Sequence, residues 1–233
     1  MQVQMTRGCR LHLVWRMGEA IRVLLFSRGT ADFGSDGKRM TKLVFSSDWH
    51  LGHRAILGMQ RRPFANVEEM GEHFVRETNR ICHVGDRLFL LGDISNRSSF
   101  ESVAPYIEQL RCKHISLVFG NHDERLRKRW TESGLFEFCG DYLEVNPKGY
   151  CYQGVSKLVL CHYPLLQWNR SRYNGKPGNE LSLNLHGHLH SDGSYNRECK
   201  ASGVLRYDVG VEANGYRPVL LEDVLEFFGC GQA

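Results

Sequence analysis

The chain has 233 residues and a formal net charge of +4, with 42% hydrophobic and 24% charged residues, the proportions of one soluble globular domain with a sizeable core. Its apolar runs, such as Leu88-Phe89-Leu90-Leu91, are far too short to span a bilayer, which excludes a membrane-spanning role. The mild positive balance does not repel anionic substrates, but it falls short of the basic stripe of a dedicated nucleic-acid binder.

The first 39 residues carry arginines at 7, 10, 16, 22 and 28, few acids, and a Gly/Ser/Asp-rich stretch from 29 to 37. They read as an N-terminal extension, poorly ordered or outside the functional domain, rather than as an Arg-rich targeting segment. The functional domain is then 40–233. A buried strand is expected over 43–47 and a helix over 66–81, where Asn66 stands as N-cap with Glu69 three residues on. A second buried strand follows at 88–91, and Ser98-Ser99-Phe100-Glu101 reads as a capping box opening another helix. Further strands are expected over 115–119, 157–161, 183–185, 204–211 and 218–221. Alternating strands and helices followed by a strand-rich half suggest a layered α/β domain.

The eight cysteines form no C-x-x-C pair, and several, such as Cys161, sit in apolar runs as small core residues. A reduced, cytoplasmic setting is expected rather than a disulfide-bonded, secreted one.

The informative pattern is where the strands end. They run into Asp48-Trp49-His50, Gly92-Asp93, Gly120-Asn121-His122-Asp123, His162 and His186-Gly187-His188-Leu189-His190. In open α/β sheets ligands gather at the carboxyl ends of strands, so these groups can converge. Carboxylates and imidazoles with an amide oxygen and no cysteine favour hard-to-borderline cations. Seven candidate ligands exceed what one tetrahedral ion needs but suit two ions sharing a carboxylate, the arrangement that clamps both oxygens of a phosphoryl displacement. Glycines 92, 120 and 187 precede ligands and are expected to allow tight turns.

Five blocks, Ser47-Asp48-Trp49-His50, Leu91-Gly92-Asp93, Gly120-Asn121-His122-Asp123, Cys161-His162 and Gly187-His188-Leu189-His190, resemble in order and spacing those of calcineurin-like metallophosphoesterases. Gly52-His53, Arg62-Pro63-Phe64, His162-Tyr163-Pro164 and Asn214-Gly215-Tyr216-Arg217-Pro218 are similar to a small bacterial and phage branch of that family. The resemblance spans about 40 to 224. It implies a four-layer α/β/β/α sandwich and metal-dependent hydrolysis of a phosphomonoester or phosphodiester. It also implies two divalent cations, Mn²⁺ first, with Fe, Zn²⁺, Ni²⁺ and Co²⁺ as alternatives. Asp48, His50 and His190 would bind one, Asn121, His162 and His188 the other, and Asp93 would bridge them. A metal-activated hydroxide would be the nucleophile, His122 would act as general acid or as a positive group beside the phosphate, and Asp123 would orient a neighbour. The sequence departs from the pattern at Tyr207-Asp208-Val209-Gly210-Val211-Glu212, where Asn-Val-Gly-Val-Asp is expected.

Other residues carry two readings each. His53 and Arg62 are candidates to touch substrate or support the ligands; otherwise His53 caps a helix and Arg62 lies in a solvated turn fixed by Pro63. His186 alternates with His188 and His190 but falls outside the motif. His12, His73, His83 and His114 read as structural or surface residues. The basic run 125–129 reads as a solvated helix face or an anion-steering patch. Tyr163, Trp168 and Tyr173 form either a substrate wall or a packed connection. The expected substrate is a small phosphorylated molecule or nucleotide. A nuclease acting on DNA or RNA ends is the alternative, and a silent protein-binding scaffold ranks last.

Overall fold

The structure, a computed structural model, describes residues 40–150 and 152–230, so the N-terminal extension lies outside the described residues. Two sheets form the centre. The first is ordered β4-β3-β2-β1-β9, from β1 (Leu43–Ser46), β2 (Arg87–Leu90), β3 (His114–Val118), β4 (Phe138–Gly140) and β9 (Val219–Leu220). β1 to β4 are parallel and β9 is antiparallel to β1. The second is ordered β5-β6-β7-β8, from β5 (Tyr142–Val145), β6 (Val155–Cys161), β7 (Leu181–His186) and β8 (Arg206–Asp208), with only β5 antiparallel.

Side-chain alternation along β1 explains the layering. Leu43 and Phe45 point into a core shared with Leu158, Leu160, Leu183 and Leu185 of the second sheet. Val44 points the other way, into a core with Met70, Phe74, Val103, Ile107 and Trp130. Those residues come from α2 (Val67–Ile81), α3 (Phe100–Glu108) and α4 (Arg127–Glu132), with Ile56 of α1 (Arg54–Met59) beside them. The outer face of the second sheet is covered by α5 (Ser194–Ala201) beside β8 and by the connection after β6, where Trp168 Nε1 donates to the Ser182 carbonyl at 3.1 Å. α6 (Leu221–Phe227) closes the chain against β1 and β9. This is the four-layer sandwich expected.

The helix starts follow local chemistry. Asn66 Oδ1 accepts from Glu69 N at 2.8 Å, and Glu69 Oε2 accepts in return from Ala65 N at 2.7 Å, which satisfies backbone donors that the first turn leaves open. At α3 the cap is Ser99, accepting from Ser102 N, but Glu101 pairs with Arg129 instead of completing a box. The expected strand over 204–211 survives only at Arg206–Asp208, because the Asp208 carboxylate accepts from Gly210 N at 2.8 Å and turns the chain.

Candidate metal centre

Parallel strands deliver their carboxyl ends to one edge of the sandwich, and the loops there are laced to one another. Asp48 N donates to Gly92 O at 3.0 Å, His50 N to Asp93 O at 2.9 Å, and Gly187 N to His162 O at 3.0 Å. All seven expected ligands meet at this edge. Asp93 Oδ2 stands 3.6 Å from His50 Nε2 and 3.5 Å from His162 Nε2. On one side, His190 Nε2 lies 3.2 Å from His50 Nε2 and 3.8 Å from Asp48 Oδ1. On the other, Asn121 Oδ1 lies 3.2 Å from His162 Nε2 and 3.0 Å from His188 Nδ1. Two overlapping groups can each hold a cation, Asp48 with His50 and His190, and Asp48 with Asp93 and His162. Asp48 is common to both, so two carboxylates rather than one lie between the clusters.

The backbone is bent to achieve this. Nine non-glycine residues among those described have positive φ, and five of them are Asp48, His50, Asp93, His188 and His190. Left-handed backbone at such residues costs about 1–3 kcal/mol each and persists where surrounding structure enforces it, commonly at functional sites. Of the three glycines, only Gly92 (φ 93°) makes the expected turn; Gly120 and Gly187 are needed for space instead. A Cβ on Gly120 would fall 2.2 Å from Asp93 Oδ1, and one on Gly187 would fall 2.3 Å from Asp48 Oδ2.

The donor set fits divalent cations. His162 Nδ1 faces the Leu91 carbonyl at 2.7 Å; a carbonyl only accepts, so Nδ1 carries a hydrogen and, in the neutral ring that a cation would select, Nε2 presents a lone pair. That lone pair faces Asn121 Oδ1 and Asp93 Oδ2, both acceptors. Burial pushes the Asp48 carboxyl up to about 7, against the pull of His162 and His190. For His162 burial works downward, but Asp93 at its side, Asp48 and the Leu91 carbonyl outweigh it and lift it to about 9. Converging acceptors and buried carboxylates of this kind are what a cation pair reconciles.

The supporting residues divide clearly. Asp123, fully buried, accepts from the backbone N–H groups of Asp93 at 2.7 Å, Ile94 at 3.0 Å and Gly120 at 2.9 Å, and burial raises it to about 6. It braces two ligand loops. Arg62 is neither in a solvated turn nor on the cavity wall. It is 4% exposed and donates to the carbonyls of Asp48 at 2.7 Å and Trp49 at 2.9 Å and to Glu212 at 2.6 Å. Glu212 Oε1 also faces His190 Nδ1 at 3.0 Å, fixing which ring nitrogen is left for a ligand role. Sequence reasoning noted Glu212 only as a departure; an acid closing the apolar run Val209-Gly210-Val211 was the available signal.

A cavity of about 550 Å³ opens over the centre, lined by His50, Asp93, His122, His188 and His190 among others. The half-exposed His122 ring sits 5.2 Å from the His50 ring, and its backbone N donates to Asp93 Oδ1 at 2.8 Å. His53 also lines the cavity, 5.6 Å from the His50 ring, with burial and then the neighbouring His122 and Arg62 lowering its basicity. His186 does not join the site: Leu185 faces the core between the sheets, and the His186 ring turns outward against Tyr195 at 5.2 Å. Tyr163, at the rim, packs on the rings of His162 and His188, whereas Trp168 and Tyr173 belong to the packed connection. In the basic run, Arg127 pairs with Asp141 and Arg129 with Glu101, whereas Arg125 donates to the Arg97 carbonyl at 2.9 Å. His73 hydrogen-bonds the Tyr216 carbonyl at 3.0 Å and His114 pairs with Glu137, both away from the ligands.

Comparison with known proteins agrees with this geometry. The sequence profile of the family described as calcineurin-like phosphoesterase matches residues 41–210. An uncharacterised protein of Methanocaldococcus jannaschii is 24% identical over 198 residues, covering 83% of this chain and 94% of its own. The crystal structure of a protein of unknown function from Aquifex aeolicus superposes with a TM-score of 0.58 at 21% identity, covering 80% of this chain and 98% of its own.

Proposed function

This chain belongs to the calcineurin-like phosphoesterase family, and from that premise we propose that it hydrolyses a phosphomonoester or phosphodiester bond in a small phosphorylated molecule or nucleotide at a dinuclear centre. The observation that carries the reading is Asp93 Oδ2, nearly equidistant from His50 Nε2 and His162 Nε2 at 3.6 and 3.5 Å. Asp48, His50 and His190 would hold one cation and Asn121, His162 and His188 the other, with Asp93 between the two groups. Mn²⁺ heads the fitting metals, followed by Fe, Zn²⁺, Ni²⁺ and Co²⁺. Bound cations supply Lewis acidity, neutralising phosphoryl oxygens and lowering the pKa of water. Asp123 and the Arg62–Glu212 pair keep the ligands aimed. His122, open to the cavity, supplies a proton or positive charge to the leaving oxygen.

Among the described residues no helix is long and apolar enough to cross a membrane. A reduced, cytoplasmic setting is supported by cysteines such as Cys112 and Cys199 lying as buried thiols outside any disulfide. Arg127 and Arg129, each paired with an acid, do not favour the nuclease reading. Presence of all seven ligands and His122 disfavours the silent scaffold. The test is hydrolysis of 4-nitrophenyl phosphate and bis(4-nitrophenyl) phosphate by protein loaded with Mn²⁺, Ni²⁺ or Co²⁺. Turnover of at least one ester is expected, and turnover of neither with any metal contradicts the proposal.

A further inference from the structure

Two walls of the cavity take no part in the chemistry above. One is α1, which presents Ala55, Ile56, Met59 and Gln60; the other is the turn at Asn96 and Arg97. Ile56 is buried while Met59 is 68% exposed, so a flexible thioether lies open to solvent beside a highly polar centre. Gln60 and Asn96 each bring a planar amide that donates and accepts side by side. Among the described residues no carboxylate is in ion-pair contact with Arg97. Outside the proposed ligands, Arg97 is also the one cavity-lining residue with left-handed backbone, φ 58°.

That turn is held in place. Arg125 Nη1 donates to the Arg97 carbonyl at 2.9 Å. Ser98 Oγ donates to the carbonyls of Leu51 at 3.0 Å and Asn96 at 3.2 Å, tying the turn to the loop that carries His50. The backbone that carries Arg97 is thus held at the cavity, while its exposed guanidinium is in ion-pair contact with no carboxylate and stands open to a ligand.

We propose that this annex binds a nucleoside, so that the substrate is a nucleoside phosphate ester; the inference rests on the phosphoesterase reading of the adjoining centre. A base offers two π-faces, which the Ile56–Met59 wall and the Arg97 guanidinium plane can take through sulfur–aromatic and cation–π contact. It offers donor–acceptor edges, which glutamine and asparagine amides match in pairs. Asn96 Nδ2 already lies 3.4 Å from His53 Nδ1, so its amide oxygen is what it offers to a base; a plain alkyl ester would engage neither that oxygen, nor the Gln60 amide, nor the guanidinium. A second phosphoryl group alone would engage Arg97 but not the apolar wall.

The test compares two esters with one leaving group, 4-nitrophenyl thymidine 5′-phosphate and 4-nitrophenyl methyl phosphate, on the Mn²⁺-loaded full chain. The thymidyl ester is expected to have a kcat/KM about 10-fold or more higher, and Met59→Ala, Gln60→Ala and Arg97→Ala are each expected to cut that ratio several-fold, through KM. A ratio near one, or a ratio that none of the variants moves, overturns the inference. Titration calorimetry with thymidine 5′-phosphate against methyl phosphate reads the annex independently of turnover. Tighter binding of the nucleotide, reduced in Arg97→Ala, is expected; equal binding overturns the annex. No turnover of either diester, nor of the monoester 4-nitrophenyl phosphate, with that binding difference intact overturns the phosphoesterase reading alone.

Discussion

Arg62 and Glu212, 150 residues apart in sequence, meet at 2.6 Å in the interior directly behind the ligand loops. Arg62 also donates to the carbonyls of Asp48 and Trp49 and to Met70 Sδ, and Glu212 Oε1 also takes His190 Nδ1 at 3.0 Å. One ion pair therefore aims ligands from both sheets. Removing one partner leaves a buried charge, which costs about 3–5 kcal/mol. Arg62→Ala is expected to lower unfolding free energy by about that amount in denaturant titration. Glu212→Gln is expected to weaken metal binding about 10–100-fold in chelator competition, as loss of a group that orients a histidine ligand does. Unchanged affinity would separate Glu212 from the centre.

Gly187→Ala tests packing against the ligands. Its new methyl group would press on Ser47 Oγ at 2.0 Å and Asp48 Oδ2 at 2.3 Å, both in the buried interior. Overpacking of this kind typically costs about 1–3 kcal/mol. The variant is expected to melt earlier and to retain less metal after dialysis; wild-type stability with full metal content would contradict the geometry.

Asp123→Asn removes an anion that accepts three backbone N–H groups and substitutes a single acceptor oxygen. Buried donors left unsatisfied cost about 1–3 kcal/mol. A loss of that size, with faster amide exchange at Asp93 and Gly120, is expected; unaltered exchange at both would contradict the bracing role.

On the edge strand β5, Glu144 gives a pH signature. Burial pushes its carboxyl up, but Lys157 at 2.8 Å, the Tyr142 hydroxyl and the Asn169 amide outweigh this and hold it below the usual 4.5. The folded state thus binds the proton less readily than the unfolded chain. The pair's stabilisation is complete above pH 4.5 and is lost as pH falls through the lowered folded value. Glu144→Gln is expected to cost about 1 kcal/mol at pH 7, with the gap from wild type shrinking below pH 4.5. A gap that widens in acid would contradict the sign.

The ligands were legible in the sequence because Asp48, Asp93, Asn121, His162 and His188 each follow an apolar strand whose carboxyl end the parallel topology carries to one edge. Asn66 was legible because capping is local. Arg62 stood out as a candidate support for the ligands, but its contact with Glu212 was not legible, since nothing short-range reveals that residues 150 positions apart share a buried contact. His186 was ambiguous because the backbone leaves strand geometry after it, so alternation with His188 and His190 ceases to mean a shared face. The second carboxylate between the clusters, Asp48, also emerged only from distances.

The central claim is a shared carboxylate holding two cations, and counting bound metal tests it most directly. Mass spectrometric metal analysis of protein loaded with Mn²⁺ and desalted is expected to find about two ions per wild-type chain, as a two-metal site requires. His122→Ala should keep that number and lose turnover, whereas Asp93→Ala should fall to about one or fewer. A wild-type chain that binds a single ion, or an Asp93→Ala chain that keeps two, would contradict the account.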